Sequence, residues 1–288
     1  MNTIALAKTY TGLLDEVYQQ SALTAVLESD ATLARAGANA NEIVIPKLSM
    51  DGLADYDRNS GYTSGNVDLS WETVKFNYER GRSFSVDNMD NEETQNIAFG
   101  RLAGEFIRTK VVPELDAFRF ATYAGIEGVG SATGALATGE AVIGALRTAT
   151  SEMDEAEVPM EDRHLFITPT LLGLVQDLDT NKSREVLSRF ASITKVPQTR
   201  FYSAIELLDG KSSGEEKGGF KKATAGVELN FEIVHKPAVL QFTKHAVPKI
   251  ISPEVNQDAD AWKYGYRNYG LCDAYENKAA GIYIHKKA

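Results

Sequence analysis

One stretch decides the fold, VDLSWETVKFNYERGRSFSVDNMDNEET at residues 67–94. It begins with the alternation of apolar and polar residues that is typical of a β-strand. The apolar residues then move from odd to even positions: Val67, Leu69 and Trp71 come first, and Val74, Phe76 and Tyr78 follow. Because side chains two residues apart in a strand share a face, we expect one strand with apolar side chains on both faces. A strand that packs on a single core has no use for the second apolar face.

The residues before this strand predict its partner. NEIVIPKLSM at residues 41–50 is a strand candidate, and Pro46 inside it argues for a sheet edge or a bulge. Residues 51–66 are rich in Gly, Ser, Asn and Asp, which is typical of a long turn. Strand arms of about 10 to 15 residues would reach on the order of 30 to 50 Å. The sequence therefore predicts a long hairpin that projects from the body.

Helical patterns flank the hairpin. Residues 3–36 carry apolar residues at roughly helical spacing, which predicts a weakly amphipathic helix. After the hairpin, Asp90 and Glu93 have the spacing of a capping box, and helical periodicity continues to residue 124. The same acidic residues could form a metal site, but no histidine or second acidic cluster is nearby, so the cap is favoured. Pro113 is expected to bend or break this long helix.

The rest of the chain alternates helix and strand. Residues 125–139 predict a flexible connection, and a helix carrying Val142, Leu146 and Met153 follows. The charged, glycine-rich residues 207–222 predict an exposed loop. Five further strands are predicted at residues 227–236, 238–245, 247–254, 260–276 and 279–287. The fold class is therefore α+β with a substantial antiparallel component.

Composition narrows the possible functions. The chain has 288 residues, 43% of them hydrophobic, and a formal net charge of −10, so it lacks the broad basic field of a nucleic-acid binder. Its single cysteine, Cys272, excludes an intrachain disulfide and is interpreted as a small packed side chain in a reducing compartment. No apolar run is long enough to span a membrane, and the amino terminus lacks the pattern of a signal peptide. These features predict a cytosolic protein.

Signs of catalysis are weak. The four histidines are scattered without metal-ligand spacing: His164, His235, His245 and His285. Those that lie in predicted strands are interpreted as structural. No nucleophile elbow or phosphate-binding loop is found, and Gly128, Gly130 and Gly134 do not match the dinucleotide fingerprint. We therefore expect no catalytic residues, no cofactor and no metal.

The order of these parts resembles the major capsid proteins of tailed bacteriophages and prophages. The resemblance rests on FSVDNMDNEETQNIAFGRLAGEFIRTKVVPELDAFRFATYAG at residues 84–125 and GLCDAYENKAAGIYIHK at residues 270–286. It extends over nearly the whole chain as an overall pattern, not as a short motif. It implies the Hong Kong 97-type coat fold, with an N-terminal arm at 1–41, an extended β-hairpin loop (E-loop) at 42–82, a spine helix of the peripheral domain at 83–124, a mostly axial domain at 125–250 and C-terminal strands at 251–288.

The resemblance also implies a function. Hexamers and pentamers of such a chain form an icosahedral head that encloses double-stranded DNA, in a virion assembled in the bacterial cytoplasm. The extended hairpin of these proteins lies across a neighbouring subunit, which would explain the second apolar face. The residues expected at that intersubunit interface are Tyr56, Arg58, Tyr62, Trp71, Phe76 and Tyr78.

Two departures from the best-known family member bear on partners. That protein crosslinks a lysine of its extended loop to a neighbour, whereas residues 51–70 here contain no lysine, so no such crosslink is expected. About 40 residues precede the hairpin, too few for a fused scaffolding domain, so we expect a separate scaffolding protein beside portal and maturation partners. Packaged DNA would be contacted only weakly. An encapsulin-type compartment and, from another class, a soluble oligomeric enzyme remain alternatives.

Overall fold

The computed structural model describes residues 22–29, 35–36, 41–93 and 97–288. The strands of these residues form four sheets. In chain order the strands are β1 (Arg35–Ala36), β2 (Glu42–Met50), β3 (Val67–Lys75), β4 (Tyr78–Asp87), β5 (Gly130–Thr133), β6 (Arg163–Ile167), β7 (Ser192–Lys195), β8 (Ile205–Leu208), β9 (Gly219–Lys222), β10 (Leu229–His235), β11 (Val239–Ile251), β12 (Ala261–Ala274) and β13 (Ile282–Lys286). The α-helices are α1 (Asn88–Glu93), α2 (Ile97–Phe106), α3 (Val112–Ala124), α4 (Gly139–Glu155), α5 (Pro169–Asp177) and α6 (Asn181–Leu187).

The opening stretch forms two strands, so the prediction of one continuous strand is wrong. β3 ends at Lys75 and pairs with β2, whereas β4 begins at Tyr78 and pairs with β12 in another sheet. Between them, the side-chain amide of Asn77 makes the two hydrogen bonds that a backbone peptide group would make. Its Nδ2 donates to the Cys272 carbonyl (2.7 Å), and its Oδ1 accepts from the Cys272 N–H (3.1 Å). A side chain that imitates backbone pairing lets the chain change sheets without losing hydrogen bonds.

The predicted hairpin is confirmed. β2 and β3 pair without a register shift from Glu42 opposite Lys75 to Met50 opposite Val67. Pro46 lies inside β2, and β1 pairs with β2 only at residues 43–44, so no described strand covers the second edge of β2 at the proline. Proline has no N–H to donate, which suits this edge position.

The spine begins directly after β4, and the predicted cap is wrong by one turn. α1 starts at Asn88, where the Asp87 carboxylate accepts a hydrogen bond from the Met89 N–H (2.9 Å). Asp87 is also the last residue of β4, so one residue ends the strand and caps the helix. Asp90 therefore lies in the first turn, where its charge favours the positive end of the helix dipole.

Pro113 does not break the spine. Residues 107–111 form a π-helical turn between α2 and α3, and both residues that border it, Phe106 and Val112, have α-helical dihedral angles. Proline cannot donate to the preceding turn and clashes with its carbonyl, and a wider π turn relieves that clash. Residues 97–124 therefore form one helical rod of about 42 Å at ~1.5 Å per residue.

The five-stranded sheet has the order β5-β13-β10-β6-β7 and carries α4, α5 and α6 on one face. The helix predicted after residue 139 is confirmed as α4. The flexible connection predicted for 125–139 is wrong at β5, which pairs in parallel with β13. The strand was not predicted because Gly130 is typical of a linker. The glycine is required here by packing, since a Cβ at this position would lie 2.7 Å from the Tyr283 ring.

The other face of this sheet packs against α3. The Phe120 ring meets Phe166 and Phe201 edge-on, at centroid distances of 5.1 and 5.0 Å. A three-stranded sheet of order β11-β12-β4 lies on the spine beside it. β11 is one strand with a bulge between Thr243 and His245, so the prediction of two strands at 238–245 and 247–254 is wrong. Residue 250, at which a domain boundary was predicted, lies inside this strand.

Residues 22–29 are attached to the spine by side-chain hydrogen bonds. The Thr24 N–H and hydroxyl donate to the Asp116 carboxylate (3.2 and 2.8 Å), and Arg119 donates to the Thr24 hydroxyl (2.9 Å). Gln241 donates to the Thr24 carbonyl (2.9 Å). These side chains use the N–H and the carbonyl of Thr24, and the residues after it, Ala25–Leu27, form only a single 3-10 turn. The helix predicted for 3–36 is wrong here. Residues 3–21 lie outside the described residues.

Candidate assembly interface

The hairpin, which we call the arm (residues 41–76), is anchored at its root. Val74 and Phe76 pack against a small core that includes Ile43, Leu240 and Leu271. The Phe76 ring also lies 4.8 Å from the Tyr269 ring, and the Lys244 ammonium lies 4.9 Å above it. With the Asn77 hydrogen bonds next to it, this packing fixes the arm to the body.

The tip of the arm is ordered by its own polar groups. The Asp51 N–H donates to the Asn66 carbonyl (3.1 Å), and the Asn66 N–H donates to the Asp51 carboxylate (2.7 Å). At the far end, Asp57 accepts hydrogen bonds from the Asn59 N–H (3.0 Å) and the Ser60 hydroxyl (2.7 Å). These bonds favour the charged carboxylate and lower the pKa of Asp57. The long turn predicted for residues 51–66 is thus a structured loop.

Apolar side chains are exposed along most of the arm. The odd-numbered face of β3 points to solvent at Val67, Leu69 and Trp71, and Trp71 is 46% exposed. In the loop, Tyr62 is 91% exposed, and its ring meets Tyr56 edge-on at 4.9 Å. We define the arm patch as the exposed apolar residues of this region: Met50, Leu53, Tyr56, Tyr62, Val67, Leu69 and Trp71.

The predicted interface residues divide into two groups. Tyr56, Arg58, Tyr62 and Trp71 are exposed on the arm, which leaves them available to another molecule. Tyr78 is only 3% exposed, so its side chain belongs to this chain's own interior and its place in the set is corrected.

Tyr78 and Phe76 have partners within the chain. The Tyr78 hydroxyl donates to Glu114 (3.2 Å), and its ring packs on Phe118 at a centroid distance of 4.8 Å. Phe76 is half-buried at the root of the arm. The alternation of the sequence placed these two residues on an exposed face of the arm, because it does not reveal that the strand breaks at Asn77.

Sequence reasoning left four exposed residues out of the predicted interface: Met50, Leu53, Val67 and Leu69. Val67 and Leu69 share the odd-numbered face with Trp71, so the alternation of β3 was a usable signal for them. Leu53 lies in a loop without periodicity, and only the structure reveals its exposure.

The arm carries an excess of negative charge. Residues 51–72 contain five acidic residues and one basic residue: Asp51, Asp55, Asp57, Asp68 and Glu72 against Arg58. All are exposed except Glu72, which is half-buried. A surface that receives this arm gains from positive charge.

A flat surface with two basic side chains, Arg267 and Lys249, lies on the outer face of the three-stranded sheet, and Arg267 is ion-paired there with the exposed Glu79. Val247, Arg267 and Gly81 form one row across its strands, and the next row contains Lys249. All four are exposed. A Cβ at Gly81 would lie 2.8 Å from the Tyr266 carbonyl oxygen, so this position stays free of a side chain and leaves the row flat.

The described residues offer little for other kinds of site. His164 Nδ1 lies 2.7 Å from the Ser192 hydroxyl and His285 Nδ1 lies 3.0 Å from Asn230, so both histidines have structural partners. Within the described ranges no group of three or more His, Cys, Asp or Glu could hold a metal ion. No helix in the part of the chain that the structure describes is long and apolar enough to cross a membrane. Cys272 is buried, which raises the pKa of its thiol to about 12.

Comparison by sequence identifies no relative. No protein-family model matches the chain, and no curated protein matches its sequence.

Comparison by structure finds capsids. A chain of the virus-like particle from Pyrococcus furiosus is 10% identical, with a TM-score of 0.60 over 97% of this chain and 99% of that one. A chain of the capsid of Cyanophage P-SCSP1u is 13% identical, with a TM-score of 0.55 over 88% and 85%. A chain of the capsid of Myoviridae phage XM1 is 12% identical, with a TM-score of 0.53 over 88% of each chain. The chain therefore has the fold of tailed-phage capsid proteins, which confirms the predicted Hong Kong 97-type fold.

Proposed function

We propose that the chain is a major capsid protein, many copies of which self-assemble into an icosahedral shell around a double-stranded DNA genome. One observation carries the proposal: an arm that is anchored at its root exposes an apolar patch that the described residues of its own chain leave largely uncovered. Monomeric soluble proteins rarely expose contiguous apolar patches of large area unless another molecule binds there. Full burial of each large apolar side chain of the patch would contribute about 1.5 to 3 kcal/mol.

The geometry favours a second copy of the chain as the occupant. A closed shell needs one surface of each subunit to contact a different surface of the next, repeated by symmetry. The acidic arm and the outer face of the β11-β12-β4 sheet, which carries the exposed Lys249, are two such surfaces on one chain. Their opposite charges would orient the contact, while the arm patch would supply most of the binding free energy.

The remaining partners follow from the same proposal. Hexamers and pentamers of the chain form the shell, a separate scaffolding protein assists assembly, and portal and maturation proteins complete the head. DNA is held by confinement and weak non-specific contact, since the chain has a net charge of −10. The chain acts as a structural component of the virion, assembled in the bacterial cytoplasm, and not as an enzyme.

The test is expression of the full chain with its candidate scaffolding protein, followed by electron microscopy. Closed particles tens of nanometres across are expected for the unchanged chain. The double variant Leu69→Ser/Trp71→Ser should remain folded, with an unchanged circular dichroism spectrum, and give no closed particles. Val255→Ser serves as the control, since Val255 is also exposed and apolar but lies far from the arm in sequence. Unchanged assembly of the double variant would refute the proposal.

A container for protein cargo is the second candidate. It is favoured by the similarity to the Pyrococcus furiosus virus-like particle, which extends over almost the full length of both chains. Nucleic acid inside particles purified from the natural source would support the phage head. A single co-purifying protein inside particles free of nucleic acid would support the alternative.

A further inference from the structure

Glu232 occupies an unusual position for a carboxyl group. It lies in β10, the middle strand of the five-stranded sheet, and its side chain is fully buried. Neither carboxylate oxygen has a hydrogen-bond partner among the described residues. An ionised carboxylate without water or a partner is strongly unfavourable, so a buried carboxyl of this kind takes up a proton. Burial accordingly raises the pKa of Glu232 well above its ordinary value.

The strand register assigns Glu232 to one face of the sheet. Its neighbours across β6 and β13 are Phe166 and Ile284, and both belong to the core between the sheet and α3. Phe231 and Ile233, on either side of Glu232 in β10, belong instead to the core under α4, α5 and α6. Glu232 therefore lies in the contact layer that joins the five-stranded sheet to the spine helix.

Other titratable groups of this layer do not neutralise Glu232. They are Asp116, Arg119 and Tyr123 of α3, Cys272 of β12 and His164 of β6. Asp116 and Arg119 are held in the network around Thr24, and the Tyr123 hydroxyl donates to Gln241 (2.9 Å). A negative charge on Glu232 would raise the pKa of Tyr123 and of Cys272 further. Both side chains are therefore neutral and give Glu232 no opposite charge.

We propose that Glu232 is a proton-controlled joint between the sheet and the spine. With its carboxyl neutral, the sheet stays packed on α3. When the proton leaves, the carboxylate draws water into this layer and loosens the contact, while the helices on the opposite face of the sheet stay in place. This conformational device acts within a single subunit and does not depend on the role of the arm.

The sign of the pH dependence follows from linkage. In the unfolded chain Glu232 titrates near pH ~4.3, whereas in the folded chain it keeps its proton to a much higher pH. The stability that the protonated group contributes is fully present below the unfolded pKa and is lost as the pH rises toward the folded pKa. In that window the unfolded state binds fewer protons, by one, so the unfolding constant rises about tenfold per pH unit from this group alone. His164 has the opposite sign, because burial lowers its pKa and its contribution is lost as the pH falls.

The first measurement compares variants by denaturant unfolding of the dilute full-length chain at pH 5.5, 6.5 and 7.5. Glu232→Gln keeps the shape but cannot ionise, and Glu232→Leu removes the polar group. In the unchanged chain, ionisation of Glu232 multiplies the unfolding constant by about ten for each pH unit. Both variants should lack this factor. Glu161→Gln is the control, since Glu161 is exposed and should leave the slope unchanged. Parallel slopes for the unchanged chain and both Glu232 variants would overturn the proposal.

The second measurement separates a local joint from a general loss of stability. Amide hydrogen exchange, corrected for the intrinsic effect of pH, is measured at pH 6 and pH 8. Protection should fall in α3 and β12 and be retained in α4, and Glu232→Gln should abolish the difference. An equal loss of protection in α3 and α4 would mean that Glu232 only lowers global stability, which would also overturn the proposal.

Discussion

The arm and the five-stranded sheet treat apolar side chains in opposite ways. In the sheet, every residue of β6 and of β10 is buried, including the carboxyl side chain of Glu232. In the arm, tyrosine, leucine and tryptophan side chains are exposed while the polar groups of the loop satisfy one another. The sheet is therefore a finished interior, whereas the arm leaves its apolar side chains exposed, as the proposed contact with a second copy requires.

The largest expected effect contrasts a core residue with an arm residue. Phe231→Ala removes a fully buried ring and should lower the free energy of unfolding by about 3 to 5 kcal/mol, because the rigid sheet cannot fill the cavity. Leu69→Ala should change it by no more than about 0.5 kcal/mol. Denaturant unfolding of both variants measures the difference. A large loss for Leu69→Ala would mean that the arm patch already belongs to this chain's own core.

A smaller effect is expected at the edge of the helix layer. Arg163 is buried, donates to the carbonyls of Val158 and Pro159, and pairs with Asp154 (2.7 Å). Arg163→Met leaves these acceptors without a donor and should cost about 2 to 3 kcal/mol. Arg184→Met is the control, because its ion pair with Asp179 is exposed on both sides and contributes no more than about 1 kcal/mol. Thermal unfolding of the two variants measures the two losses of stability. Equal losses would mean that water already reaches Arg163 in the folded chain.

Glycine substitutions sharpen the distinction between packed and open backbone. Gly130→Ala should destabilise the chain by about 1 to 3 kcal/mol, because the new methyl group would meet the Tyr283 ring. Gly144→Ala, in the exposed part of α4 with no atom near the new methyl group, should stabilise it by about 0.5 to 1 kcal/mol. Calorimetry of both variants checks the opposite signs. Destabilisation by Gly144→Ala would show that α4 is covered on its outer side.

The smallest effect concerns the tip of the arm. The hydrogen bonds to Asp57 lower its pKa, so the order they give the loop is fully present above the unfolded pKa of about 3.9 and is lost as the pH falls through the lower folded value. The carboxyl NMR shift of Asp57 should therefore titrate at a lower pH in the unchanged chain than in the Ser60→Ala variant, which lacks the hydroxyl donor. A common midpoint would mean that the loop has no fixed turn.

Much of this fold is predictable from the sequence, because local patterns determine it. The hairpin, the spine and α4 follow from periodicity, and the turn residues of 51–66 mark the loop. The misses have physical causes that periodicity cannot express. Asn77 ends a strand by imitating a peptide group, Gly130 lies in a strand because an aromatic ring needs the space, and a π turn absorbs Pro113.

The exposed apolar surface of the arm was predictable only in part for the same reason. Alternation in β3 identifies one exposed face with Trp71, but Tyr78 depends on which sheet the following strand joins. The burial of Glu232 could not be predicted, since an acidic residue within a strand normally indicates a solvated face. Only the register of β10 between β6 and β13 reveals that both faces of this strand are covered.

The two hydrogen bonds of Asn77 have a mechanical consequence. They lie where the arm meets the body, so they set the angle of a lever whose strands are about 30 Å long at ~3.3 Å per residue. A tilt on the order of 5° at this pivot moves the far end by roughly 3 Å, about the length of one hydrogen bond. One amide side chain thus helps to set where the far end of the arm lies relative to the body.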